Sequence, residues 1–439
     1  MPSGTEAQAE KNVEDIQDVI EMIKTNYNGL VNEDELIEAA IKGIFNALDK
    51  YSSYYSEEEE EELIRELDGT YSGIGVVIGR KSNLIIITQV MKGSPAEKAG
   101  LNEGDMVLYV NGTNVTGYDF EQFTSLVKGP PHTTVTLTVI NENDSGYRKV
   151  KVVRDTIKLN PVKYSIMEGD IGYLKLVEFS RYSAEAVAEA LEFFDSMDVK
   201  KVIVDLRNNP GGLLDQVVDI AGHFVKAGPV VTIKNNKGGR ETYVSKLKEP
   251  KYQLVVLVNG WSASASEIFA GAVQDTGSGT VIGDRTYGKG SVQALFDIPG
   301  GGMVKLTVAN FYTPAGNKIE GTGITPDVCV ENEIRNNIDV TFLEDIEGNW
   351  VPGPGDQGAD IYAIKTRLAL LGYDIQAFDI TMDDNAAEAL KKFQGDNGIE
   401  QTGEFDAATR EILEKKTREI VRELDRQMSE AVAKLKQNP

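Results

Sequence analysis

The most constraining feature of this sequence is an apolar strand that runs directly into a turn of small residues and then a helix. The run QLVVLV at 253–258 is rich in β-branched apolar residues and predicts a buried strand. The segment NGWSASASEIF that follows predicts a sharp turn and a helix beginning near Ser264–Ser266. Glu267 falls in the first turn of that helix, where an acid suits the positive end of the helix dipole. A serine at such a turn lies beside free backbone N–H groups, which is favourable geometry for a nucleophile.

Histidine, the usual base for such a serine, is scarce in this chain. His132 lies in GPPHTT, which predicts a surface turn, and His223 lies in an apolar helical run, so both are interpreted as structural residues. The sequence around the candidate serine also lacks the GxSxG pattern of a nucleophile elbow. A Ser-His-Asp triad is therefore poorly supported, and another base is needed.

Lysine is the other side chain that can activate a serine, and the turn GKGSVQ at 288–293 presents one. Lys289 stands between two glycines, which allow a close approach of its backbone. A lysine that acts as a base must be neutral, so burial and nearby positive charge must lower its pKa from about 10.4 to about 7–8. Gln293 follows in the same turn and can orient the amine by a hydrogen bond without adding charge.

These motifs resemble those of the carboxyl-terminal processing (tail-specific) proteases, a serine/lysine peptidase family. The run SASASEIFAGAVQD, followed by GDRTYGKGSVQ, is similar to the active-site pair of that family. Two further stretches match in the same order, LRNNPGGLL at 206–214 and FYTPAGNKIEGTGITPDV at 311–328. The resemblance extends over residues 35–330 and implies a layered α/β core of the crotonase/Clp-like type.

The resemblance also implies roles for individual residues. Ser264, the middle serine of SASASE, is the implied nucleophile, and Lys289 is the implied general base. Gln293 is the implied partner that orients the lysine. Ser262 and Ser266 are the alternative nucleophiles, although the first lies well before the helix and the second is better placed as a helix cap.

A glycine pair provides the candidate oxyanion hole. A predicted strand ends in RNNPGG at 207–212, and a Gly-Gly turn that enters a helix can aim N–H groups at a developing oxyanion. The backbone N–H of Ala265, directly after the candidate nucleophile, would complete the hole. Gly211 and Gly212 are both suitable as the second donor, and a simple tight turn is the alternative interpretation.

Residues 156–332 alternate strands and helices, which predicts an α/β protease core with crossover connections. The predicted elements are strand Ile171 to Leu176, helix Ser183 to Met197, strand Val202 to Leu206, helix Leu213 to Lys226, strand Val230 to Lys234, strand Leu254 to Val258, helix Ser266 to Thr276 and strand Thr280 to Gly283. We expect Asp205 and Arg207 to form a charge pair at the end of one strand. The segment GTGITPD at 321–327 predicts a closing turn near the active site.

Residues 70–155 resemble a PDZ domain inserted before that core. In the family's arrangement the loop YSGIGV binds a peptide's terminal carboxylate, because its glycines let backbone N–H groups converge there. The residues expected to do so are Gly73, Ile74, Gly75 and Val76. The strand that follows offers an open edge to an added peptide strand, and the segment 120–127 predicts the helix beside the groove. GSPAEKAGLNEGDMVLYVNG at 93–112 is common in bacterial PDZ domains.

Helical segments flank these two domains. Residues 1–69 predict a helical N-terminal segment in which residues 12–67 form three helices, with the acidic run 57–62 at a solvated helix start. Residues 333–358 contain several prolines and glycines and predict a linker. Residues 359–439 resemble the small three-helix peptidoglycan-binding domain and end in a helix over 416–436 that requires an apolar partner.

Two roles are open for the C-terminal domain: contact with the cell wall, or packing and dimerisation. The apolar stripes of the terminal segments favour a homodimer that forms through the N- and C-terminal helices. The predicted fold class is therefore α/β multidomain, with a helical N-terminal segment, an inserted PDZ β-domain, the layered core and a small helical C-terminal domain.

Charge and composition exclude several kinds of protein. The net charge of −24, from 45 basic and 69 acidic residues, argues against binding to nucleic acid or anionic lipid. The single cysteine, Cys329, excludes an intrachain disulfide and has no histidine near it in the sequence. We find no pattern for a metal or a cofactor, and expect neither.

Nothing in the sequence predicts a membrane span or a signal peptide. Members of the family that this chain resembles are usually exported or anchored. We therefore expect an extracytoplasmic protein whose N-terminal signal or anchor segment is absent from this chain.

The leading functional hypothesis is a serine endopeptidase that captures protein or peptide substrates by their free C-terminus through the PDZ domain. It would cleave them nearby, in regulated extracytoplasmic processing or signalling, and the PDZ domain would gate the active site. A PDZ scaffold with an inactive core is a second hypothesis, against which the intact Ser264, Lys289 and Gln293 speak. A crotonase-type hydratase is a third, but no feature for handling CoA supports it.

Overall fold

The structure is a computed structural model that describes residues 4–141, 146–168 and 170–437, with only the backbone described for residues 4–13. The chain divides into two compact units. The first comprises Met1–Ile64, Ile233–Glu241 and Gly290–Phe311. The second comprises Arg65–Thr232, Thr242–Lys289 and Tyr312–Pro439.

The described residues form both helices and strands throughout. The α-helices are α1 (Gly4–Asn26), α2 (Glu33–Phe45), α3 (Glu57–Asp68), α4 (Pro95–Ala99), α5 (Phe120–Val127), α6 (Ser183–Ser196), α7 (Leu214–Phe224), α8 (Ala265–Thr276), α9 (Ala359–Leu370), α10 (Asp384–Asp396), α11 (Ala407–Leu424) and α12 (Arg426–Gln437). The strands are β1 (Ser53–Tyr55), β2 (Thr70–Gly73), β3 (Val76–Lys81), β4 (Leu84–Val90), β5 (Met106–Val110), β6 (Thr113–Asn114), β7 (Thr134–Ile140), β8 (Arg148–Val153), β9 (Asp155–Lys158), β10 (Val162–Met167), β11 (Ile171–Leu176), β12 (Lys201–Asp205), β13 (Gly228–Asn235), β14 (Arg240–Ser245), β15 (Gln253–Val258), β16 (Thr280–Gly283), β17 (Ser291–Asp297), β18 (Met303–Tyr312), β19 (Val328–Cys329) and β20 (Gln357–Gly358).

In the first unit, two N-terminal helices expose much of their apolar surface. Asn32 caps α2 by accepting a hydrogen bond from the N–H of Asp34 at 3.0 Å. The helix α2, all of which is described, buries none of its side chains. On α1, Met22 is 63% exposed, and on α2, Ile44 is 59% exposed. The prediction of three helices in this region is confirmed, although α1 begins at Gly4 rather than near residue 12.

A small antiparallel sheet belongs to the same unit. β18 pairs antiparallel with β1 and with β17, and Ser53 of β1 lies opposite Lys305. The pairing of β17 and β18 shifts register between Val292 and Gln293, which indicates a β-bulge. Such bulges re-aim the side chains next to them and are frequent beside functional sites.

The α/β core is built on a six-stranded sheet in the order β10-β11-β12-β15-β16-β19. Each neighbouring pair in it is parallel except β10–β11. The predicted α/β order is confirmed, with element ends shifted by one or two residues. One strand differs: β13, predicted as part of this order, pairs instead with β14 in a separate sheet. A short turn joins β13 to β14, whereas a parallel neighbour would need a long crossover.

The final helical segment departs from the prediction of one helix over 416–436. The structure has two helices, α11 and α12, separated at Asp425. Oδ1 of Asp425 accepts a hydrogen bond from the N–H of Met428 at 2.9 Å and pairs with Nη1 of Arg207 at 2.7 Å. The carboxylate therefore caps α12 while it binds Arg207, and the helix breaks there.

The helix α12 packs on the core sheet of its own chain. Ala431 and Leu435 lie in one apolar cluster with Ile203, Val255 and Leu257 of the sheet. Burial of a leucine side chain contributes about 1.5–3 kcal/mol. The partner required by the final helix is therefore this sheet, and its apolar face is not open to a second subunit. The predicted homodimer through the N- and C-terminal helices stays a prediction.

Arg207 joins the core to the C-terminal segment. Its side chain is buried and pairs with Asp205, Nη2 to Oδ2, at 2.7 Å, as well as with Asp425. Burial acts to raise the pKa of Asp205, but the Arg207 charge and its hydrogen bonds outweigh burial and hold that pKa below its usual range. The predicted charge pair is confirmed, and Asp425 extends it.

The region predicted as a PDZ domain forms a sheet with one long flanking helix. The strand order is β20-β3-β4-β5-β7-β8, with β6 beside β5. The helix α5 has the predicted ends and starts with a capping box between Asp119 and Gln122. Its Phe123 is buried in one apolar cluster with Ile87 and Leu137 of the sheet. β2 and β9 pair where the chain enters and leaves this region.

The C-terminal helices share their apolar cluster with the PDZ region. Ile86 of β4 and Met106 of β5 pack into the same cluster as α9, α10 and α11. The segment 333–358, predicted as a linker, also contributes, because Ile346 and Trp350 are buried in that cluster. This segment is therefore packed rather than a free tether, and its last two residues form β20.

Candidate active site

Ser264 lies at the N-terminus of α8, immediately after the turn that follows β15. Its backbone has φ of 55° and ψ of −111°, a sparsely populated conformation that costs a non-glycine residue about 1–3 kcal/mol. Its side chain is half-buried. Backbone strain of this kind is concentrated at functional sites, where surrounding contacts maintain it.

The two neighbouring serines are occupied by structural hydrogen bonds. Ser262 is fully buried, and its Oγ donates to the carbonyl of Leu206 at 2.7 Å and accepts from the N–H of Asn259 at 2.9 Å. Ser266 is also fully buried and donates to the carbonyl of Asn209 at 3.0 Å. Of the three candidate serines, Ser264 is therefore the one that remains accessible.

A buried carboxylate joins the Ser264 turn to the Lys289 loop. Glu267 is fully buried. Its Oε2 accepts hydrogen bonds from the backbone N–H groups of Ser264 and Lys289, each at 2.9 Å. Its Oε1 accepts from Oγ1 of Thr286 at 2.6 Å and from the N–H of Gly288 at 2.7 Å. One side chain thus binds four donors that come from two separate loops.

These donors favour the ionised form of Glu267. Burial has the larger effect and raises the pKa of Glu267 above its usual range, because the charged carboxylate loses its water. The hydrogen bonds from Thr286 and from the backbone lower the pKa and offset part of that rise. An ionised carboxylate offers only acceptors, so it matches all four donors. A proton on either carboxylate oxygen would point at one of these four donors, which cannot accept a hydrogen bond from it. The ionised form is therefore the one that holds both loops.

The Lys289 loop also packs against the turn at 321–327. The carbonyl of Gly288 accepts a hydrogen bond from the N–H of Gly321 at 2.9 Å. Gly288 has φ of 89°, and a β-carbon there would lie 3.1 Å from the backbone nitrogen of Gly323, so conformation and packing both favour glycine. The predicted closing turn is confirmed, and the side chain of Lys289 is half-buried.

The turn at Gly211 and Gly212 lies against the candidate nucleophile. A β-carbon at position 211 would lie 2.7 Å from Cβ of Ser264 and 3.0 Å from the backbone nitrogen of Ala265. The N–H of Gly211 donates to Oδ1 of Asn209 at 2.8 Å. Within the part of the chain that the structure describes, the N–H of Gly212 has no acceptor. Gly212 is therefore the better candidate of the two for an oxyanion donor.

Two residues of the site have larger roles than the sequence indicated. In the sequence, Glu267 stands out only as a favourable charge at a helix start, and Asn209 has no evident role. Asn209 is fully buried, its Nδ2 donates to the carbonyl of Leu176 at 2.8 Å, and its own carbonyl accepts from the N–H of Ala263 at 3.0 Å. For Glu267, the sequence does contain a signal, because it is a charged residue inside the small and apolar run ASEIFAGAV. A charge that is buried in such a run must be paired.

Gln293 lies on β17, in the first compact unit. Its Nε2 donates to Oγ of Ser291 at 3.0 Å and to Oγ1 of Thr307 at 3.2 Å. Thr307 in turn donates to Oδ1 of Asp49 at 3.1 Å. Since Nε2 is committed to two hydroxyl groups, Oε1 is the atom suited to accept from an amine. The predicted role of Gln293 beside the lysine stays a prediction.

The loop 73–76 is the turn that the sequence predicts to bind a peptide's terminal carboxylate. The carbonyls of Ile74 and Gly75 accept hydrogen bonds from the N–H groups of Ala96 and Met91, at 2.8 and 3.0 Å. Gly75 has φ of 80°, which favours glycine. Among the described residues, no acceptor faces the N–H groups of Ile74 and Gly75, so these two groups are available to a ligand.

The other residues considered from the sequence do not form a second site. His132, His223 and Cys329 are each exposed. No group of three or more His, Cys, Asp and Glu side chains suited to a metal ion occurs in the described residues. None of the described helices is long and apolar enough to cross a membrane.

Comparison with known families gives four matches along the chain. Residues 170–330 match peptidase family S41, and residues 86–141 match a PDZ domain. Residues 357–413 match a peptidoglycan binding domain. Residues 2–59 match the N-terminal domain of the activating protease CtpB. The matches follow the order of the elements described above.

Relatives extend the similarity over the whole chain. A Staphylococcus epidermidis protein named "Probable CtpA-like serine protease" is 34% identical over 439 residues, covering 99% of this chain and 88% of the relative. A carboxy-terminal-processing protease of Bartonella bacilliformis is 36% identical over 338 residues, 74% of this chain and 77% of the relative. Among solved structures, the photosystem II D1 C-terminal processing protease is 29% identical, with a TM-score of 0.44 over 73% of this chain and 87% of that one.

Fold and similarity together define a serine peptidase that carries a PDZ domain. The chain belongs to peptidase family S41, the carboxy-terminal processing proteases.

The Glu267→Gln variant tests the carboxylate that joins the two loops. Glutamine keeps the size of the side chain but replaces two acceptor sites by an NH₂ group, which would oppose two of the four donors. A displacement of about 1 Å between reacting groups lowers a rate about 100-fold. We therefore expect kcat for labelled casein to fall about 100-fold, with KM changed less than about threefold.

Glu185→Gln is the matched control, because Glu185 lies in the first turn of α6 but is exposed. It should cleave casein at the rate of the unmodified protein. A Glu267→Gln variant with kcat within twofold of that rate would show that the carboxylate does not position the loops.

Proposed function

We propose that Ser264 is the nucleophile and Lys289 the general base of this peptidase, with Gln293 as the group that orients the lysine amine. The observation that carries the proposal is the bridging Glu267 carboxylate. Its Oε2 accepts from the backbone N–H of Ser264 and of Lys289, so these two nitrogens lie within about 6 Å of each other. The hydrogen bonds of this carboxylate and of the Ser264 turn involve neither of the two histidines, both of which are exposed.

The proposed chemistry is an acyl transfer in two halves. The neutral amine of Lys289 accepts the proton of the Ser264 hydroxyl as Oγ attacks the scissile carbonyl. Negative charge develops on the carbonyl oxygen, and the N–H groups of Ala265 and Gly212 would stabilise it. The lysine then returns the proton to the leaving amine. A water molecule, deprotonated by the same lysine, hydrolyses the acyl-enzyme and releases Ser264.

Substitution of both members of the dyad tests this assignment. Ser264→Ala removes the nucleophile, Lys289→Ala removes the base, and Lys289→Arg retains a charge that cannot accept a proton near neutral pH. We expect each to lower casein cleavage at least about 1000-fold. Labelling by a fluorophosphonate should disappear in Ser264→Ala and be slow in both lysine variants.

Lys318→Ala and Lys318→Arg serve as controls, because Lys318 is an exposed lysine of the same unit. Both should cleave casein normally. Normal cleavage by Lys289→Ala would mean that another group is the base.

We further propose that the PDZ domain captures substrates by their free C-terminus and gates the active site. Gly69, where the chain enters β2, packs tightly on the core, since a β-carbon there would lie 2.6 Å from Oγ of Ser180. The adjacent Phe179 donates its N–H to the carbonyl of Gly211 at 2.8 Å. A shift of the PDZ domain on peptide binding would thus reach the candidate oxyanion hole through one short segment.

Gating is tested with two ligands that differ only at their C-terminus. The substrate is an internally quenched peptide with an amidated C-terminus, which cannot use the carboxylate-binding loop. Addition of a second peptide with a free apolar C-terminus should raise kcat at least about threefold, because the ligand favours the active conformation. The amidated form of that second peptide should have no effect. Equal rates with both forms would exclude gating by C-terminal capture.

The exposed apolar surface of the N-terminal helices is proposed to bind a second copy of the chain. Ile16, Val19 and Met22 of α1 are 48%, 53% and 63% exposed. Leu36 and Ala40 of α2 line an apolar depression beside α1. An isologous contact between two copies would bury this surface on both.

Sedimentation equilibrium with Val19→Asp tests the dimer. A charge in the apolar contact should convert the dimer to a monomer and raise the dissociation constant at least about 100-fold. Thr25→Asp places the same charge on an exposed polar position of α1 and should leave the dimer intact. A monomeric unmodified chain at micromolar concentration would refute the proposal.

We also propose action outside the cytoplasm, in contact with the cell wall. The peptidoglycan binding domain match over residues 357–413 and the CtpA-like bacterial relatives support it. The purified chain should cosediment with insoluble peptidoglycan. If it does not, the C-terminal domain has a packing role alone.

A further inference from the structure

The strand that a peptide would extend in the PDZ groove already has a partner on its outer edge. One edge of β3 pairs with β4, and the other pairs with β20. In that second pairing Gln357 lies opposite Arg80 and Gly358 lies opposite Gly79. β20 belongs to the segment that leads into the C-terminal domain. The open edge that the sequence predicted for β3 is therefore only partly open.

The unoccupied part of this edge is short. The carboxylate-binding loop ends at the start of β3, and the pairing with β20 begins at Gly79. Residues 75–78 are left for a ligand, which is room for about four residues or ~13 Å of extended strand. A longer peptide that continued along β3 would meet the backbone of β20.

Close packing holds β20 in this position. A β-carbon at position 358 would lie 2.7 Å from Cζ2 of Trp350, and one at Gly79 would lie 2.9 Å from the carbonyl oxygen of Gln357. Trp350 is buried, and its Nε1 donates to Oδ2 of Asp360 at 2.9 Å. Glycine on both strands thus permits the two backbones to approach beneath the indole ring.

Contacts of the segment before β20 reinforce this junction. A β-carbon at Gly348 would lie 2.7 Å from the carbonyl oxygen of Thr88 on β4. Nδ2 of Asn349 donates to Oε2 of Glu103 in the PDZ region at 3.3 Å. Both regions also share one apolar cluster. The pairing of β20 with β3 is therefore part of a broad interface rather than an isolated pair of residues.

We propose that β20 closes the far end of the PDZ groove, so that the groove reads about the last four residues of a substrate and turns the preceding chain out of the sheet. This inference rests on the proposed capture of C-termini. The elements that border the open part of the groove favour apolar side chains there, since Val76 and Ile78 of β3 and Phe120 and Leu126 of α5 are partly buried apolar residues. Further pairing of a peptide along β3 would require β20 to separate from β3.

Binding of a peptide length series tests the closure. Fluorescent peptides of three to eight residues, all ending in Val-Ala-Ala with a free carboxylate, are titrated into the full chain carrying Ser264→Ala, which prevents cleavage. We expect affinity to rise up to four residues and then to change less than about twofold up to eight, because backbone pairing stops there.

The Gly358→Val variant opens the groove from the C-terminal side. Position 358 has φ of 170°, which valine adopts readily, so the added side chain acts through its clash with Trp350. In this variant the eight-residue peptide should bind about fivefold to tenfold more tightly than the four-residue peptide. Trp350→Ala removes the same packing from the other side and should behave alike. Gly146→Val is the control, since none of the described residues has an atom within 4 Å of a β-carbon there.

Each result has one meaning. The closure is supported if affinity stops rising at four residues in the unmodified groove and in Gly146→Val. In Gly358→Val and Trp350→Ala it should continue to rise up to eight residues. Affinity that keeps rising beyond four residues in the unmodified groove overturns it, as does an unchanged plateau in both junction variants. Failure of every free-acid peptide to bind, or equal binding of amidated peptides, would instead remove the proposed capture of C-termini and the closure with it.

Discussion

The carboxylate of Glu267 is fully buried and accepts hydrogen bonds from four groups on two loops. The core sheet makes this arrangement possible. β12, β15 and β16 are parallel neighbours, so the loops after them meet at one edge of the sheet, where α/β proteins usually build their sites. These loops carry the glycine pair, Ser264 and Lys289 respectively. The sheet brings the loops together, and Glu267 fixes the spacing between two of them.

The C-terminal segment supports the same edge from another direction. Arg207, at the start of the glycine turn, pairs with Asp425 just before α12. Nε2 of Gln427, in the first turn of α12, donates to Oδ2 of Asp284 at 2.8 Å, in the loop that leads to the lysine. Buried ion pairs of this kind contribute little net stability but are costly to break, so they specify one arrangement. A part of the chain far from Ser264 in sequence thus constrains its surroundings, and β20, from the same part, caps the PDZ strand.

The sequence was sufficient for the elements that local patterns determine. The strand before Ser264, the helix α5 and the alternation of strands and helices in the core all follow from short-range periodicity and turn chemistry. The structure confirms their existence, with the ends of α5 as predicted and the ends of the core elements shifted by at most two residues. Motif similarity led to the candidate nucleophile and base, and the buried hydrogen bonds of Ser262 and Ser266 favour Ser264 over these two alternatives.

The features that sequence reasoning missed depend on partners distant along the chain. Glu267 acts as a bridge because a loop after the next strand supplies three of its donors. The final helix breaks at Asp425 because that carboxylate binds Arg207, and its periodicity alone continues unbroken. The two residues of β20 have no strand pattern of their own and pair only because the C-terminal domain packs on the PDZ sheet. Local propensity carries no information about such contacts.

Residue-resolved hydrogen exchange of the native protein tests the central claim most directly. If the Glu267 carboxylate holds both loops, the amides of Ser264, Gly288 and Lys289 should all be protected, to a degree close to that of Val256 in the middle of β15. They should also exchange together, since one carboxylate binds all three. Rapid exchange of Gly288 and Lys289 while Ser264 stays protected would contradict the account, because the lysine loop would then open independently of the nucleophile.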